Sequence, residues 1–570
     1  MNRIAPAVCA ACALVLTSPL AAAPGDTVIM ILVDGVAHST AADLMRQGKL
    51  PALRELLRSK EGRLLRAIST FPSATAPSVP ELLVGRYSDR ASPRMLRRVQ
   101  GFDRTTGRIA RYEFVRQAWD SPDDDLFDLV ARSGRRSFSY FEGEFRSASV
   151  NEFNPLGHGI DWATGYASLP MTNFDQRLLD DAIRDLRAER PPPALVFIAL
   201  NAADIAGHSR GPAHPDVATV LIHNDRQIGK LVGALRKLDH PAGGTVFEHT
   251  HFYIFSDHGM AATGFNLTLG RDLQQHGLAV ADGSDVGAML QASLFKDWHN
   301  NVDGIVLGIG SNVAEMQVRR RLPDGARRPW HERPTLAELR ALPVTQPGGP
   351  ADKVVGTMDL IAYLQSHVGM DMVMVQERPG RVQLFAPGGG EALVARAGKP
   401  EEARRFAYQV WRTDADGGDP LGYLAVPGAR ALVTPAAATE LQFFDERTWW
   451  EATNACERPY APPLIPKAFD SGPTAPDVIL VAKNGYGFLP VVKADHGNLS
   501  TESSSGFLIA AGPEFEPPAA GRGKRPARED HGPVRLIDVN AEIRRYLGLP
   551  EDPLADSRGL GRGAASRPAP

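Results

Sequence analysis

Five runs of this 570-residue sequence are apolar at nearly every position: "TVIMILV" (27–33), "ALVFIAL" (194–200), "THFYIFS" (250–256), "DVILVA" (477–482) and "GFLIAAG" (506–512). A strand with one wet face alternates apolar and polar residues, and these do not alternate. They read as strands covered on both faces by helices. Two helical patterns supply the cover. "AADLMRQGKLPALRELLR" (41–58) is helical with a break near Pro51, and "PDVATVLIHNDRQIGKLVGALRKL" (215–238) reads as a crossover helix between the second and third runs. Strands alternating with helices define an α/β fold.

The length exceeds what one hydrophobic core usually holds. From about Phe265 to Asp477 the strands shorten and Gly/Pro-rich turns such as "APGGGEAL" multiply. We therefore expect an α/β core in two parts, 24–265 and 477–556, the second opening on the strand in "APDVILVA". An inserted region, 266–476, lies between them. Residues 516–532 and the tail 557–570 have the composition of disordered chain. The first 23 residues read as an export signal: a weakly basic start, an apolar stretch and small residues at "LAAAP" for cleavage after Ala23. Cys9 and Cys12 would leave with it, and Cys456 alone cannot form an intramolecular disulfide. The sequence thus implies a periplasmic or secreted protein with no membrane span after cleavage. A formal charge of −3 argues against a large nucleic-acid partner, but not against a small anionic substrate.

Open α/β sheets place their sites just beyond strand ends, and metal-type side chains fall there repeatedly. Asp34 follows the first run, Asp204 and His208 follow the second, and Asp257-His258 follow the third, while His496 lies in "VVKADHGNLS". Asp204 and His208, four apart, share a helix face. A fifth segment, "STFPSATAPS" (69–78), is rich in hydroxyls and is the candidate nucleophile segment.

Together these segments resemble the alkaline phosphatase superfamily, and within it the type I phosphodiesterase/nucleotide pyrophosphatase branch. The resemblance rests on "ILVDG", on Thr75, Pro77 and Gly85 as a T-x-P nucleophile turn with its later glycine, and on "DIAGHSRGP" as D-x-x-G-H-x-x-G-P. "SDHGM", His496-Gly497 and the closing "GFLIAAGP" and "VRLIDVNAEIRRYLGL" complete it, covering about 27–265 and 477–548. It implies a mixed sheet sandwiched by helices with a large inserted cap. It also implies two divalent metal ions, Zn²⁺ by ligand type: one held by Asp204, His208 and His496, the other by Asp34, Asp257 and His258 with Thr75 Oγ1. The implied activity is hydrolysis of small phosphate esters, as a phosphodiesterase or nucleotide pyrophosphatase working through a phosphothreonine at Thr75. A phosphomonoesterase of the same superfamily is the alternative. No C-x-P-x-R motif is present, which excludes a formylglycine sulfatase.

Departures from the family pattern leave one function unassigned. Ser78 stands where diesterases carry asparagine, and Leu96 lies where a second asparagine would donate to a phosphoryl oxygen. Arg86, the arginines of "RMLRR" (94–98), Arg104 and Asn151 are the candidate donors. Tyr486 in "KNGYGF" either stacks on an aromatic leaving group or packs under the cap. Asp495 is either a residue orienting a ligand imidazole or an exposed loop carboxylate. His38, His214 and His223 read as structural.

Overall fold

The computed structural model describes residues 26–89, 100–111, 123–141, 145–152, 172–283, 298–308, 310, 312–347, 353–398, 403–413, 418–469, 472–489, 492–512 and 531–560. The export signal, the arginines of 94–98, most of 516–532 and the tail beyond Leu560 lie outside them.

Among the described residues, eight strands form the first sheet: β1 (Thr27–Val33), β2 (Arg63–Ile68), β3 (Ser137–Tyr140), β4 (Val150–Asn151), β5 (Leu195–Leu200), β6 (Thr250–Phe255), β7 (Ser505–Ala511) and β8 (His531–Arg535). Their order across the sheet is β8-β2-β7-β6-β1-β5-β3-β4. Every residue of β1 is buried. Ile29, Ile31 and Val33 pack into a core shared with α1 (His38–Arg46), α2 (Pro51–Ser59), α4 (Thr172–Ala188), α5 (Ala202–Arg210) and α6 (Pro215–Leu235). Val28, Met30 and Leu32 face a second core with α3 (Thr75–Val84) and α7 (Val539–Tyr546). Each such side chain contributes roughly 1.5–3 kcal/mol by leaving water. This is why the run can be apolar throughout, and the expected sheet sandwiched by helices is borne out.

Strand direction decides where a site can form. β1 is parallel to β5 and β6, while β7 runs antiparallel to both β6 and β2. β2 therefore points the same way as β1. The C-terminal ends of β2, β6, β1 and β5 and the N-terminal end of β7 all meet at one edge.

The intervening chain builds a second sheet, ten-stranded among the described residues and mostly antiparallel. Here one expectation is corrected. Val478–Ala482 does not join the first sheet but sits inside the second, between Val313–Val318 and Met370–Arg378. Ile479 and Val481 enter one of its cores, and Val478 and Leu480 the other. A five-residue apolar strand fits a covered position in either sheet, so its composition could not choose. The chain returns to the first sheet only at β7. Phe71, within the hydroxyl-rich segment, and Tyr87, nine residues beyond it, also pack in the core of the second sheet.

The tail is packed further than its composition suggests. Ser557 Oγ accepts from Ala541 N–H at 2.8 Å, and the Arg558 and Leu560 amides donate to Asp538 and Glu542, both at 2.8 Å. Among the described residues no helix is long and apolar enough to cross a membrane.

Candidate active site

All seven expected site residues meet at the edge where the strand ends converge. Asp34 is the first residue past β1, and Asp257-His258 lie just past β6. Asp204 and His208 sit on α5, one turn apart after β5. His496 arrives from the loop that leads into β7, whose start lies at this edge because it runs antiparallel. Gly35 lets the first two elements touch. Its φ is +69°, and a Cβ there would lie 2.5 Å from Asp204 Oδ1. Both the turn and the contact require glycine.

Two groups of ligand-type side chains result, Asp34-Asp257-His258 and Asp204-His208-His496, the ligand atoms in each lying within 4.8 Å of one another. His258 Nε2 is 3.3 Å from Asp34 Oδ1 and 3.6 Å from Asp257 Oδ2. His208 Nε2 is 3.1 Å from Asp204 Oδ2, and His496 Nε2 is 4.0 Å from Asp204 Oδ1. In all three imidazoles Nδ1 faces a backbone carbonyl at 2.9 Å: Ala494 for His208, Gly259 for His258 and Ser73 for His496. A carbonyl only accepts, so Nδ1 carries the proton and Nε2 is the atom offered to the site.

The carboxylates fit cations. Asp257 is fully buried, yet neither of its oxygens has a hydrogen-bond partner, and Asp204 Oδ1 is likewise buried without one. Buried anions left this way are costly unless a positive charge meets them. Oxygen and imidazole donors without thiolate suit Zn²⁺ or a similar divalent ion.

When no metal is bound, protons partly play that role. Burial disfavours the His208 imidazolium, but the Asp204 and Asp495 carboxylates outweigh it and raise this group to about 10. Burial also works against the Asp204 anion, and the His208, His496 and His258 rings hold it well below the usual carboxylate range. His496 moves the other way, to about 3, through burial and the neighbouring His258, against the pull of Asp495 and Asp204. Asp495 is thus no exposed loop carboxylate. It is 2% exposed, accepts from its neighbour's amide and lies 3.9 Å from His208 Nδ1.

The hydroxyls of 69–78 sort themselves by partner. Ser69 and Ser78 bond each other at 2.8 Å, and Thr70 is held by Glu81 and Lys467. Ser73 Oγ donates to Asn498 O at 2.9 Å and accepts from Gly497 N–H at 3.1 Å. Thr75 Oγ1 alone of these faces the ligand groups, 3.3 Å from His258 Nε2 and 3.3–3.4 Å from the Asp34 oxygens. Thr75 is the first residue of α3, and Pro77 lies in the opening turn. The helix N-terminus therefore points amide N–H groups and the positive end of its dipole at the same place. Gly85 closes α3 in the left-handed region at φ +80°, its Cα packed on Asn540.

Three candidate donors for the phosphoryl oxygens are committed elsewhere. Arg86 Nε bonds Asp552 at 2.6 Å, buried Arg104 bonds Asp477 and Trp330 O, and Asn151 bonds the Phe145 backbone. The 94–98 arginines lie outside the described residues. His38 starts α1, His214 caps α6 by accepting from Asp216 N–H, and His223 contacts Gln227 within α6.

Tyr486 stacks on Phe265, with ring centroids 5.1 Å apart, and Phe265 is 66% exposed. Asn312 ties this pair to the ligand loop, its side chain donating to Tyr486 O at 2.9 Å while its backbone amide reaches His496 O at 3.4 Å. Phe265 escaped the sequence reading because a single aromatic at the end of a short strand carries no pattern.

The family described as Type I phosphodiesterase / nucleotide pyrophosphatase matches residues 28–304, the stretch that carries six of the seven site residues, from Asp34 to His258. An uncharacterized pyrophosphatase/phosphodiesterase of Schizosaccharomyces pombe is 25% identical over 254 residues, 42% of this chain and 46% of the relative. The match thus spans about half the length of that curated relative. Among solved structures, murine ectonucleotide pyrophosphatase/phosphodiesterase 5, an inactive variant in complex with AMP, is 11% identical with a TM-score of 0.49, covering 94% of this chain and 97% of that one. The human counterpart is 12% identical over the same shares, with a TM-score of 0.48. Over residues 28–304, just under half of its length, the chain is thus similar to the type I phosphodiesterase / nucleotide pyrophosphatase family.

Proposed function

We propose that this protein is an exported two-metal phosphodiesterase or nucleotide pyrophosphatase that works through a phosphothreonine at Thr75. The observation that carries the reading is the position of Thr75 Oγ1, 3.3–3.4 Å from Asp34 and His258 at a helix N-terminus. Asp34, Asp257 and His258 would hold one ion, and Asp204, His208 and His496 the other, Zn²⁺ by donor type. Divalent ions there would favour ionisation of the threonine hydroxyl and offset charge on the phosphoryl and departing oxygens.

The chain's own groups do the positioning. The opening amides of α3 receive the phosphoryl oxygens, and Thr75 Oγ1 forms a bond to phosphorus as the ester oxygen leaves with the first alcohol. Water then cleaves the phosphothreonine and restores the hydroxyl, so one water is consumed for each alcohol released. Ser73, Ala494 and Gly259 carbonyls keep the three imidazoles turned with Nε2 inward throughout. Tyr486, with Phe265, offers an aromatic face for the leaving group. The second sheet would act as the cap that shapes the substrate pocket. The engagement of Arg86 and Arg104 in structural ion pairs favours a diester over a monoester, since neither is available to meet a second phosphate charge.

Comparing turnover of bis-p-nitrophenyl phosphate with that of p-nitrophenyl phosphate tests this reading. A strong preference for the diester is expected. A strong preference for the monoester would replace the reading with an alkaline-phosphatase-type monoesterase.

A further inference from the structure

The opposite edge of the first sheet carries a third group of ligand side chains. Asp26 immediately precedes β1, His249 immediately precedes β6, and His240 lies in the loop between α6 and β6. Their ligand atoms also lie within 4.8 Å of one another. β1 separates Asp26 from Asp34 by about 25 Å at roughly 3.3 Å per residue. This group is therefore remote from the active site.

Its internal bonding is incomplete in a way that a cation would complete. His249 Nδ1 lies 3.2 Å from Asp26 Oδ1 and its Nε2 lies 3.0 Å from the Gly243 carbonyl. Both partners are acceptors, and a neutral ring donates to only one of them, so the other nitrogen and its facing oxygen form a pair that a cation would bridge. His240 stacks on it with centroids 3.7 Å apart and planes 11° from parallel. His240 is 5% exposed. Its Nδ1 accepts from Ala242 N–H at 3.1 Å, and its Nε2 is buried with no hydrogen-bond partner.

We propose that Asp26, His240 and His249 bind a further divalent metal ion, separate from the active site, that fastens the start of β1 to the start of β6. The ion lies between His249 Nδ1 and Asp26 Oδ1. The His249 Nε2–H bond to Gly243 O is kept and holds the ring in orientation, the usual arrangement behind a metal-bound imidazole. On binding, the His240 ring turns out of its stack so that Nε2, the nitrogen without a hydrogen-bond partner, becomes the third ligand, and water completes the shell. One carboxylate and two imidazoles select Zn²⁺, Co²⁺, Ni²⁺ or Cu²⁺ over Mg²⁺ and Ca²⁺. The two strands joined are the ones whose other ends present Asp34 and Asp257-His258, so the ion would brace that half of the active site from behind.

The test uses tag-free full-length protein, stripped with chelator and reloaded with Zn²⁺. Elemental analysis should find one fewer bound Zn²⁺ in His249→Gln than in wild type, with diester turnover retained. Diffraction from Zn²⁺-soaked wild-type crystals at the zinc edge should show an anomalous peak between Asp26, His240 and His249. Equal zinc content in variant and wild type, or no anomalous peak at the three side chains, would overturn the proposal. The wild-type diffraction decides the matter even if the variant fails to fold.

Discussion

The imidazoles of His258 and His496 stack face to face, 3.6 Å between centroids and 21° from parallel, although each belongs to a different ligand group. Two rings this close do not tolerate two positive charges. The single stored proton of the second group accordingly sits on the far ring, His208, beside Asp204.

That proton sets a pH dependence. His208 rises from about 6.5 when unfolded to about 10 in the metal-free fold. Its ion pair therefore contributes stability that is fully present below about 6.5 and lost as pH climbs through about 10. A metal needs the neutral ring, so affinity at this group should tighten about tenfold per pH unit below that point. Chelator competition at pH 7, 8 and 9 measures the slope, and a flat profile would contradict it.

Asp257→Asn should abolish turnover while leaving the metal-free protein as stable as wild type or more so. The native carboxylate is fully buried with both oxygens unpartnered, and relieving such a group is worth about 1–3 kcal/mol. Calorimetry in excess chelator checks this. A large fall in Tm would mean that the carboxylate has a partner the geometry does not reveal.

Thr75→Ala should lower kcat at least ~10²-fold and retain both groups of side-chain metal ligands. Thr75→Ser should keep substantial activity. Acid quenching during turnover followed by peptide mass spectrometry should locate phosphate on Thr75. Label on Ser69, Thr70, Ser73 or Ser78 would show that the wrong hydroxyl has been chosen.

Lys467→Met should cost about 3–5 kcal/mol, because it leaves a buried carboxylate unpaired. Lys467 Nζ lies 2.8 Å from Glu81 Oε1, and both side chains are almost fully buried. Adding Glu81→Gln should recover much of the loss. Denaturant melts of the two proteins give the comparison, and equal stabilities would deny the coupling.

Phe265→Ala should raise KM for diesters with aromatic leaving groups by roughly 2–10-fold, the worth of one ring contact, and leave alkyl diesters unchanged. An equal effect on both substrates would assign the Phe265–Tyr486 pair to folding alone.

Much of this site was legible because strand geometry is local. An apolar run that ends in Asp34 or in Asp257-His258 fixes where those side chains emerge, and the i, i+4 spacing of Asp204 and His208 fixes a shared helix face. What could not be read were choices made by distant partners. Val478–Ala482 has the composition of a covered strand in either sheet, and only its neighbours at 313–318 and 370–378 decide which. Arg86 and Arg104 look like spare cations until Asp552 and Asp477, 466 and 373 residues away in sequence, claim them. Ser73 looks like a rival nucleophile, whereas its carbonyl orients His496.

The placement of Val478–Ala482 also bears on how such a protein can be rearranged. This strand is hydrogen-bonded on both sides by chain from the intervening region, and it leads within fifteen residues to His496. Excising 266–476 would strip both neighbours from it and leave its backbone groups without acceptors or donors. The two sheets are consequently not interchangeable cassettes. A graft that replaced the second sheet with one from a relative would have to carry residues 478–482 with it and rejoin the native chain within the fourteen residues that lead to His496.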